Sequence, residues 1–250
     1  DVSHYVKKGG VIDKEAVERA TSVYLVDRVI PMLPEILSNN ICSLKPNVDR
    51  LAYSVLFEMD EKANLVDYKI SKTVIHSDVR FTYQTAQDVI DNNEGKLKSE
   101  LLLLDKLSKI LRKKRQQNGS INFESTEVKF ILDKDSNPVD VYFKESLSTN
   151  HLIEEFMLLA NKTVAKHIGF PKKDAKTFVY RVHDLPDTDR ISTLNNIVKK
   201  FGHSINNENS NKLSESLNNL LKKVKGKNEQ QMVETLTIRS MAKAIYTTSN

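Results

Sequence analysis

The stretch RATSVYLVDRVIPMLPEILSNNICSLKP, residues 19–46, decides how we interpret the fold of this chain. Its apolar part, residues 21–30, is rich in β-branched side chains, which is typical of a largely buried strand. Asp27 and Arg28 interrupt this run. Because an unpaired buried charge is costly, the two residues must find partners or reach a wet surface. The stretch therefore predicts a strand that carries a charge pair from the core towards water.

Two prolines define where this strand ends. Pro31 and Pro34 follow it closely, and neither can donate a hydrogen bond to a sheet ladder. The strand edge thus leads Tyr24 and the charge pair into a loop braced by prolines. Physical chemistry alone predicts the rim of a site here and does not define the kind of site.

Strands and helices alternate in both directions from this stretch. Apolar or alternating runs predict strands at residues 4–6, 51–59, 65–75, 121–123, 127–132, 139–143 and 177–183. Apolar residues at helical spacing, together with capping residues, predict helices at 13–20, 85–91, 97–117, 150–168, 190–201, 212–224 and 229–246. With no internal repeat and no long linker, the pattern predicts one α+β domain, with a mixed β-sheet surrounded by several α-helices.

Composition places the chain among ordinary soluble globular proteins. It has 250 residues, of which 39% are hydrophobic and 28% are charged. No apolar run approaches the roughly 18 residues of a membrane helix. The single cysteine, Cys42, excludes an internal disulfide and fits a reducing cytoplasm. A net charge of +5 favours polyanionic partners only weakly, and a mildly basic enzyme with no nucleic-acid partner fits it equally well.

Local motifs for catalysis are absent from the sequence. The seven glycines form no phosphate-binding loop, and the six histidines show no metal-ligand spacing. Residues 133–138 look like part of a calcium loop, but Pro138 stands where a glycine belongs and Lys144 where a glutamate belongs. A hairpin turn is therefore predicted there. Asp187 or Thr188, in an acidic segment, is predicted to cap a helix rather than hold a metal.

Four basic residues end the helix predicted at 97–117, namely Arg112, Lys113, Lys114 and Arg115. In the simpler interpretation they complement the negative end of the helix dipole. In the alternative they form a patch that faces RNA.

The sequences of several segments resemble those of a known family. Residues 24–44, YLVDRVIPMLPEILSNNICSL, closely resemble the catalytic domain of the ribonuclease II / ribonuclease R (RNB) family, processive exoribonucleases that act from the 3′ end. Further matching segments are KTVIHSDVRFTY (72–83), GSINF (119–123), HLIEEFMLLAN (151–161), YRVHDLP (180–186) and LTIRSMAKAIY (236–246). The resemblance covers essentially the whole chain in the family's order, and residues 206–228 are its least characteristic part.

The resemblance implies four RNA-binding residues. In the family, the 3′-terminal bases stack between two aromatic side chains, and the motif positions put these at Tyr24 and Phe123. Aromatic faces hold any base, so such binding tolerates any sequence. A tyrosine and a glutamate that favour ribose over deoxyribose match Tyr83 and Glu154, since a hydroxyl and a carboxylate can both contact a 2′-OH. The simpler alternatives are core positions for Tyr24 and Phe123 and an exposed helix position for Glu154.

The sequence lacks the two motifs that carry out catalysis in the family. The family holds Mg²⁺ with a cluster of aspartates, which would lie before Asp1, and uses an arginine in a Thr-Ser-Pro-Ile-Arg-type motif, which would follow Asn250. Neither motif occurs here. We therefore expect residues 1–250 to be a partial RNB-like catalytic domain, truncated at both ends. Mg²⁺ would belong to the intact parent enzyme, and the piece alone would hold no metal and be inactive.

The resemblance thus predicts part of a cytoplasmic 3′-to-5′ exoribonuclease. The parent would hydrolyse single-stranded RNA with a free 3′ end to nucleoside 5′-monophosphates, as a monomer and without a membrane partner. The alternative is a non-catalytic RNA-binding or regulatory module of the same fold, and the plainest option is an α+β domain with no RNA role. The sequence does not separate the ribonuclease R type from the ribonuclease II type.

Overall fold

The computed structural model describes residues 1–123, 127–144, 146–170 and 176–249. The chain divides into two compact units. Unit 1 consists of Asp1–Asp105 and Thr126–His151, and unit 2 of Lys106–Ser125 and Leu152–Asn250. The expectation of one domain over residues 1–250, truncated at both ends, stays a prediction.

The described chain contains both helices and antiparallel strands, grouped in runs, which confirms the α+β class. The helices are α1 (Val2–Tyr5), α2 (Val11–Arg19), α3 (Tyr83–Asn92), α4 (Lys98–Gln117), α5 (Ser148–Gly169), α6 (Thr188–Lys199), α7 (Ser210–Val224) and α8 (Gln230–Ser240), and Ile36–Ile41 forms a π-helical turn. The strands are β1 (Val23–Tyr24), β2 (Val29–Ile30), β3 (Asp49–Met59), β4 (Leu65–His76), β5 (Glu127–Leu132), β6 (Pro138–Lys144), β7 (Tyr180–Val182) and β8 (Ile245–Thr247).

The strands pair two by two, and every pair is antiparallel. β1 pairs with β2, β3 with β4, β5 with β6, and β7 with β8. Within the described residues they do not join into the single mixed sheet that we expected. The first three pairs are hairpins, in which each strand meets its neighbour in the chain through a short turn. Alternation along a sequence reveals such strands but carries no information on further partners.

The longest hairpin lies in unit 1 and confirms a prediction. β3 and β4 pair from Asp49↔His76 to Met59↔Leu65. Asp60 forms the turn, since its Oδ1 accepts the main-chain N–H of Lys62 at 2.9 Å and that of Asn64 at 2.7 Å. An aspartate that bonds to the backbone two residues onward favours a turn.

The opening stretch folds differently from our prediction. Residues 21–30 were expected to form a largely buried strand, but they form the short, exposed pair β1 and β2. Asp27 and Arg28 explain the difference. Arg28 Nε lies 2.9 Å from Asp27 Oδ2, and the Arg28 carbonyl accepts the N–H of Leu25 at 2.8 Å, so the charge pair sits in the turn between the two strands. The predicted buried strand is therefore wrong.

Unit 2 contains the clearest hydrophobic core. It consists of buried side chains largely from α6, α7 and α8: Ile191, Leu194, Val198, Ile205, Leu217, Leu220, Val224 and Val233. Asp187 caps α6, because its Oδ1 accepts the N–H of Asp189 at 2.9 Å and that of Arg190 at 3.2 Å. This confirms the cap that the sequence predicted.

Two predictions at the ends of the chain are wrong. Residues 4–6 were expected to be a strand, but α1 occupies most of them. The helix predicted at 229–246 stops at Ser240, because Ile245 and its neighbours pair with β7 as β8. Within the described residues, no helix combines the length and the apolar character that crossing a membrane requires.

Candidate nucleic-acid interface

Phe123 lies in residues 120–123, which follow α4 without regular secondary structure, and we call these residues the Phe123 segment. Gly119 precedes it with a φ of +89°, a conformation that glycine adopts without steric cost. The N–H of Ser120 then donates to the carbonyl of Arg115 at 3.2 Å, which closes the helix end. The strand predicted at 121–123 is wrong, because backbone groups of this segment bond to a side chain instead of another strand.

Side chains from two helices hold the Phe123 segment in place. Asn218 Oδ1 accepts the main-chain N–H of Asn122 at 2.9 Å, and Asn218 Nδ2 donates to the carbonyl of Ser120 at 3.0 Å. Arg112 Nη2 donates to Asn122 Oδ1. Phe123 itself is half-buried. The predicted stacking residue therefore directly follows a backbone that side chains anchor.

A cluster of two arginines and two glutamates lies beside this segment in unit 2. Arg115 Nη2 lies 2.6 Å from Glu155 Oε1 and 3.1 Å from Glu154 Oε1. Arg112 Nη1 lies 3.3 Å from Glu154 Oε2. The Glu155 side chain is only 3% exposed, so the arginines compensate a buried carboxylate.

The cluster has a clear electrostatic consequence. The hydrogen bond to Glu155 raises the pKa of Arg115 above its already high value, because the carboxylate stabilises the charged guanidinium, although partial burial opposes this. Glu154 differs from Glu155 because 45% of its side chain is exposed. A carboxylate that two arginines orient and that water still reaches can accept a hydrogen bond from a ligand hydroxyl.

Tyr24 lies in unit 1 at the end of β1 and is 78% exposed. The interpretation of Tyr24 as a core residue is therefore wrong. An exposed ring on a two-residue strand offers a face on which a planar group can stack.

Tyr83 is the first residue of α3 and lies in unit 1. Its carbonyl accepts a hydrogen bond from Thr149 Oγ1 at 2.9 Å, and Thr82 caps the helix by accepting the N–H of Thr85 at 3.1 Å. Two independent contacts therefore fix the backbone here, while the tyrosine residue stays 43% exposed.

A pocket of about 470 Å³ adjoins Tyr83, and Phe143, Lys144 and Asn150 are among its other lining residues. Lys144 Nζ lies 5.9 Å from the centre of the Tyr83 ring, and Phe143 is 66% exposed. Aromatic faces can contact a base, an ammonium can contact a phosphate, and a hydroxyl or amide can contact a sugar. The pocket thus brings together groups that can contact the base, the phosphate and the sugar of a nucleotide.

The structure brings some of the predicted residues together. Phe123 and Glu154 both lie in unit 2, where Arg112 bonds to Glu154 and to the Asn122 side chain. Tyr24 and Tyr83 both lie in unit 1, on the separate elements β1 and α3.

Sequence reasoning missed two kinds of residue. Arg112 and Arg115 were assigned to the helix dipole or to an RNA-facing patch, but they pair with carboxylates. Their spacing of three positions on one helix was a usable signal, because it places them on the same face. Asn218 gave no local signal, since it acts on a residue 96 positions away.

A metal centre does not emerge from this geometry. Across residues 1–123, 127–144, 146–170 and 176–249, no group of three or more His, Cys, Asp or Glu residues could hold a metal ion. The Asp133 loop is a hairpin turn instead. Asp133 Oδ1 accepts the N–H of Asp135 and that of Asn137, both at 2.9 Å. This confirms the hairpin turn that the sequence predicted.

Comparison with known proteins identifies relatives over the whole chain. The family model of the RNB domain matches residues 1–250. Ribonuclease R of Thermotoga maritima is 41% identical over 260 residues, covering 100% of this chain and 36% of its own length. The exosome complex exonuclease dis3 of Schizosaccharomyces pombe is 40% identical over 252 residues, covering 98% of this chain and 26% of its own length.

Solved structures also match nearly the whole chain. Mycoplasma genitalium RNase R in complex with ribose-methylated single-stranded RNA matches 99% of this chain and 39% of that chain, with a TM-score of 0.88 and 26% identity. Yeast Ssd1, a pseudonuclease, matches 98% of this chain with a TM-score of 0.74 and 16% identity, which shows a shared fold only. The chain spans roughly a third of the length of the first curated relatives, with shares of 31%, 36% and 38%.

Proposed function

The chain belongs to the RNB domain family, and from that premise we propose that it is part of an enzyme that hydrolyses single-stranded RNA from its 3′ end. The enzyme works processively and releases nucleoside 5′-monophosphates. The observation that carries the proposal is the family match over all 250 residues, together with relatives named ribonuclease R. In this proposal the chain supplies residues of the RNA channel.

Stacking is the first contribution of the chain in this proposal. Tyr24 and Phe123 each offer an aromatic face on which a terminal base of the RNA stacks, worth about 1–3 kcal/mol per base. The exposure of Tyr24 and the anchoring of the Phe123 segment support this role. Because every base has an aromatic face, the enzyme accepts any sequence.

Sugar recognition is the second contribution. The Tyr83 hydroxyl and the Glu154 carboxylate contact 2′-hydroxyl groups, so that RNA binds better than DNA. Support comes from the pocket beside Tyr83 and from the arginines that orient Glu154. In the same pocket, the Lys144 ammonium contacts a phosphate of the bound strand.

Metal chemistry does not fit the residues that the structure describes, since none of their clusters offers a set of metal ligands. We propose that the intact enzyme uses Mg²⁺ held by carboxylates outside these 250 residues. A metal of this kind would activate water and stabilise charge on the phosphate. The chain alone is then inactive, which stays a prediction.

The partner in this proposal is single-stranded RNA with a free 3′ end. The intact enzyme acts as a monomer in the cytoplasm and needs no membrane.

The second candidate function is a non-catalytic RNA-binding or regulatory module of the same fold. The absence of a metal-ligand cluster among the described residues fits this candidate and the first one equally, because the first one places its metal ligands outside these residues. The fold is also compatible with the second candidate, because a structure named as a pseudonuclease shares it. The two candidates differ in whether the full-length protein shortens RNA.

RNA binding and RNA shortening test the proposal separately. Titration of a 5′-labelled single strand in EDTA should show that Tyr24→Ala and Phe123→Ala each weaken binding about 5- to 150-fold, which corresponds to the stacking energy of about one base. Tyr53→Ala and Phe201→Ala are matched controls, because both residues are exposed aromatics outside the site, at 62% and 45%. Equal effects in all four variants would contradict the stacking role.

The activity assay compares the full-length protein with the 250-residue chain in Mg²⁺. The proposal expects progressive loss of 3′ nucleotides with the full-length protein and none with the chain alone. Shortening by the chain itself, above a mock preparation, would refute the prediction of inactivity. RNA binding without shortening by the full-length protein would favour the non-catalytic module.

A further inference from the structure

The Phe123 segment needs contacts from outside itself to keep its position. An aromatic ring binds a base tightly only when its position is fixed before binding, because ordering it afterwards costs free energy. Residues 120–123 lie in neither a helix nor a strand, so no backbone ladder fixes them. Whatever holds the segment must therefore come from elsewhere in unit 2.

Asn218 meets this requirement with both ends of its side-chain amide. Its Oδ1 accepts from the N–H of Asn122, and its Nδ2 donates to the carbonyl of Ser120. An amide is suited to this task because it carries a donor and an acceptor on one planar group. The two bonds flank Ile121 and fix the backbone directly before Phe123.

Asn218 is itself carried by a rigid element. It lies on α7, where the neighbouring Leu217 is fully buried at 0% exposure and Leu220 and Leu221 are buried as well. Side chains on packed helices hold a position more accurately than side chains on loops. The packed core of unit 2 therefore fixes the Asn218 amide, and this amide in turn fixes the Phe123 segment.

We propose that Asn218 is a positioning residue for RNA binding, which acts by presenting the Phe123 ring to the terminal bases. This inference rests on the proposed function, because it assumes that Phe123 stacks on RNA. Asn218 needs no contact with RNA in this role. Its loss leaves the ring and the side-chain contacts of Arg112 and Arg115 in place, but it removes the two bonds that fix the backbone before the ring, so that the ring is held less firmly.

The test uses a double-mutant cycle in the full-length protein, with EDTA present to prevent hydrolysis. Asn218→Ala should weaken binding of a 5′-labelled single strand about three- to tenfold, the equivalent of about one or two lost hydrogen bonds. In the Phe123→Ala background the same change should alter binding by less than twofold. A residue that acts through Phe123 has nothing to position once the ring is gone.

A matched control and a second readout separate positioning from folding. Asn219→Ala removes the adjacent amide on α7, which is exposed and takes no part in the two hydrogen bonds, and it should leave binding unchanged. A 2-aminopurine at the 3′ terminus reports stacking directly. At saturating protein its fluorescence should be quenched with wild type and with Asn219→Ala, and brighter with Asn218→Ala.

Each outcome has a defined meaning. If Phe123→Ala weakens binding but Asn218→Ala does not, the positioning role is refuted and the proposed function stands. If Asn218→Ala has the same effect with and without Phe123, the residue is merely structural and the inference is refuted. If Phe123→Ala has no effect, both the stacking role and the positioning role are refuted. Should Asn218→Ala fail to fold, Asn218→Asp replaces it under the same criteria, because it removes the donor and keeps the acceptor.

Discussion

Glu154 and Glu155 are neighbours on α5, but their surroundings give them different roles. Glu155 is almost fully buried against Arg115, and Glu154 is nearly half exposed while it contacts both arginines. The sequence presents them as an equivalent pair. Burial separates a structural carboxylate from one that remains accessible to a ligand.

The stability of the protein should reveal this difference. Glu155→Ala should lower the free energy of unfolding by about 3 kcal/mol, because it leaves a partly buried arginine without its main partner. Glu154→Ala should lower it by less than about 1 kcal/mol, as is usual for exposed ion pairs. Urea unfolding of both variants measures the difference. Equal losses would show that the two carboxylates share one role.

Tyr83 allows a test of sugar recognition at the level of one oxygen atom. Tyr83→Phe should lower the ratio of RNA affinity to DNA affinity about two- to tenfold, because one hydrogen bond is worth about 0.5–1.5 kcal/mol. The fold should persist, since Thr149 bonds to the main-chain carbonyl and not to the hydroxyl. Binding titrations with matched RNA and DNA strands measure the ratio. Tyr53→Phe is the control, and an unchanged ratio in Tyr83→Phe would contradict the assignment.

At the scale of elements, the β5–β6 hairpin has a turn that depends on pH. Hydrogen bonds from Asn137 and Asp135 hold the pKa of Asp133 below its usual value of about 3.8, because they stabilise the carboxylate. A group whose pKa is lower in the folded state stabilises that state above its unfolded pKa. This stabilisation is lost as the pH falls through the folded pKa.

Amide exchange can follow this turn directly. The Asn137 amide should be protected at pH 6 and should lose protection once the pH falls below about 3.8, relative to its intrinsic exchange rate. Asp133→Asn removes the titrating group, so its residual protection should not change over this range. Identical pH profiles for the two proteins would exclude Asp133 as the cause.

The helices and strands also show how much of the fold the sequence could predict. The helices α4, α5 and α6 were predictable because apolar spacing and caps such as Asp187 are local signals. The strand at residues 21–30 was not, because an apolar run does not reveal that Asp27 pairs with Arg28 within the turn. Among the candidate site residues, the family resemblance predicted Tyr24, Tyr83, Phe123 and Glu154, and their roles in RNA binding stay predictions. Asn218 could not be identified from the sequence because its hydrogen-bond partners, Ser120 and Asn122, are distant in the chain.

At the scale of the whole molecule, contacts between cationic side chains and phosphates should make the proposed RNA binding sensitive to salt. Each phosphate that a single strand places against a cation contributes a slope of about −0.7 to log affinity against log salt concentration. Lys144→Gln should therefore make the slope less steep by about 0.7. Tyr24→Ala should lower the affinity at every salt concentration and leave the slope unchanged, because stacking releases no ions.

Affinities measured between 50 and 200 mM KCl distinguish these two effects. Lys134→Gln serves as the control lysine, since it lies in the β5–β6 turn away from the Tyr83 pocket lining. An equal change of slope in both lysine variants would show general attraction rather than a contact at the pocket.

The separation of 96 positions between Asn122 and Asn218 also sets an order of events during protein synthesis. At about 5–20 residues per second, a ribosome needs about 5–20 s to cover that distance. For this interval the nascent chain contains the Phe123 segment but not the Asn218 amide that bonds to its backbone. If Phe123 stacks on RNA as proposed, its position is therefore fixed only after α7 has been translated.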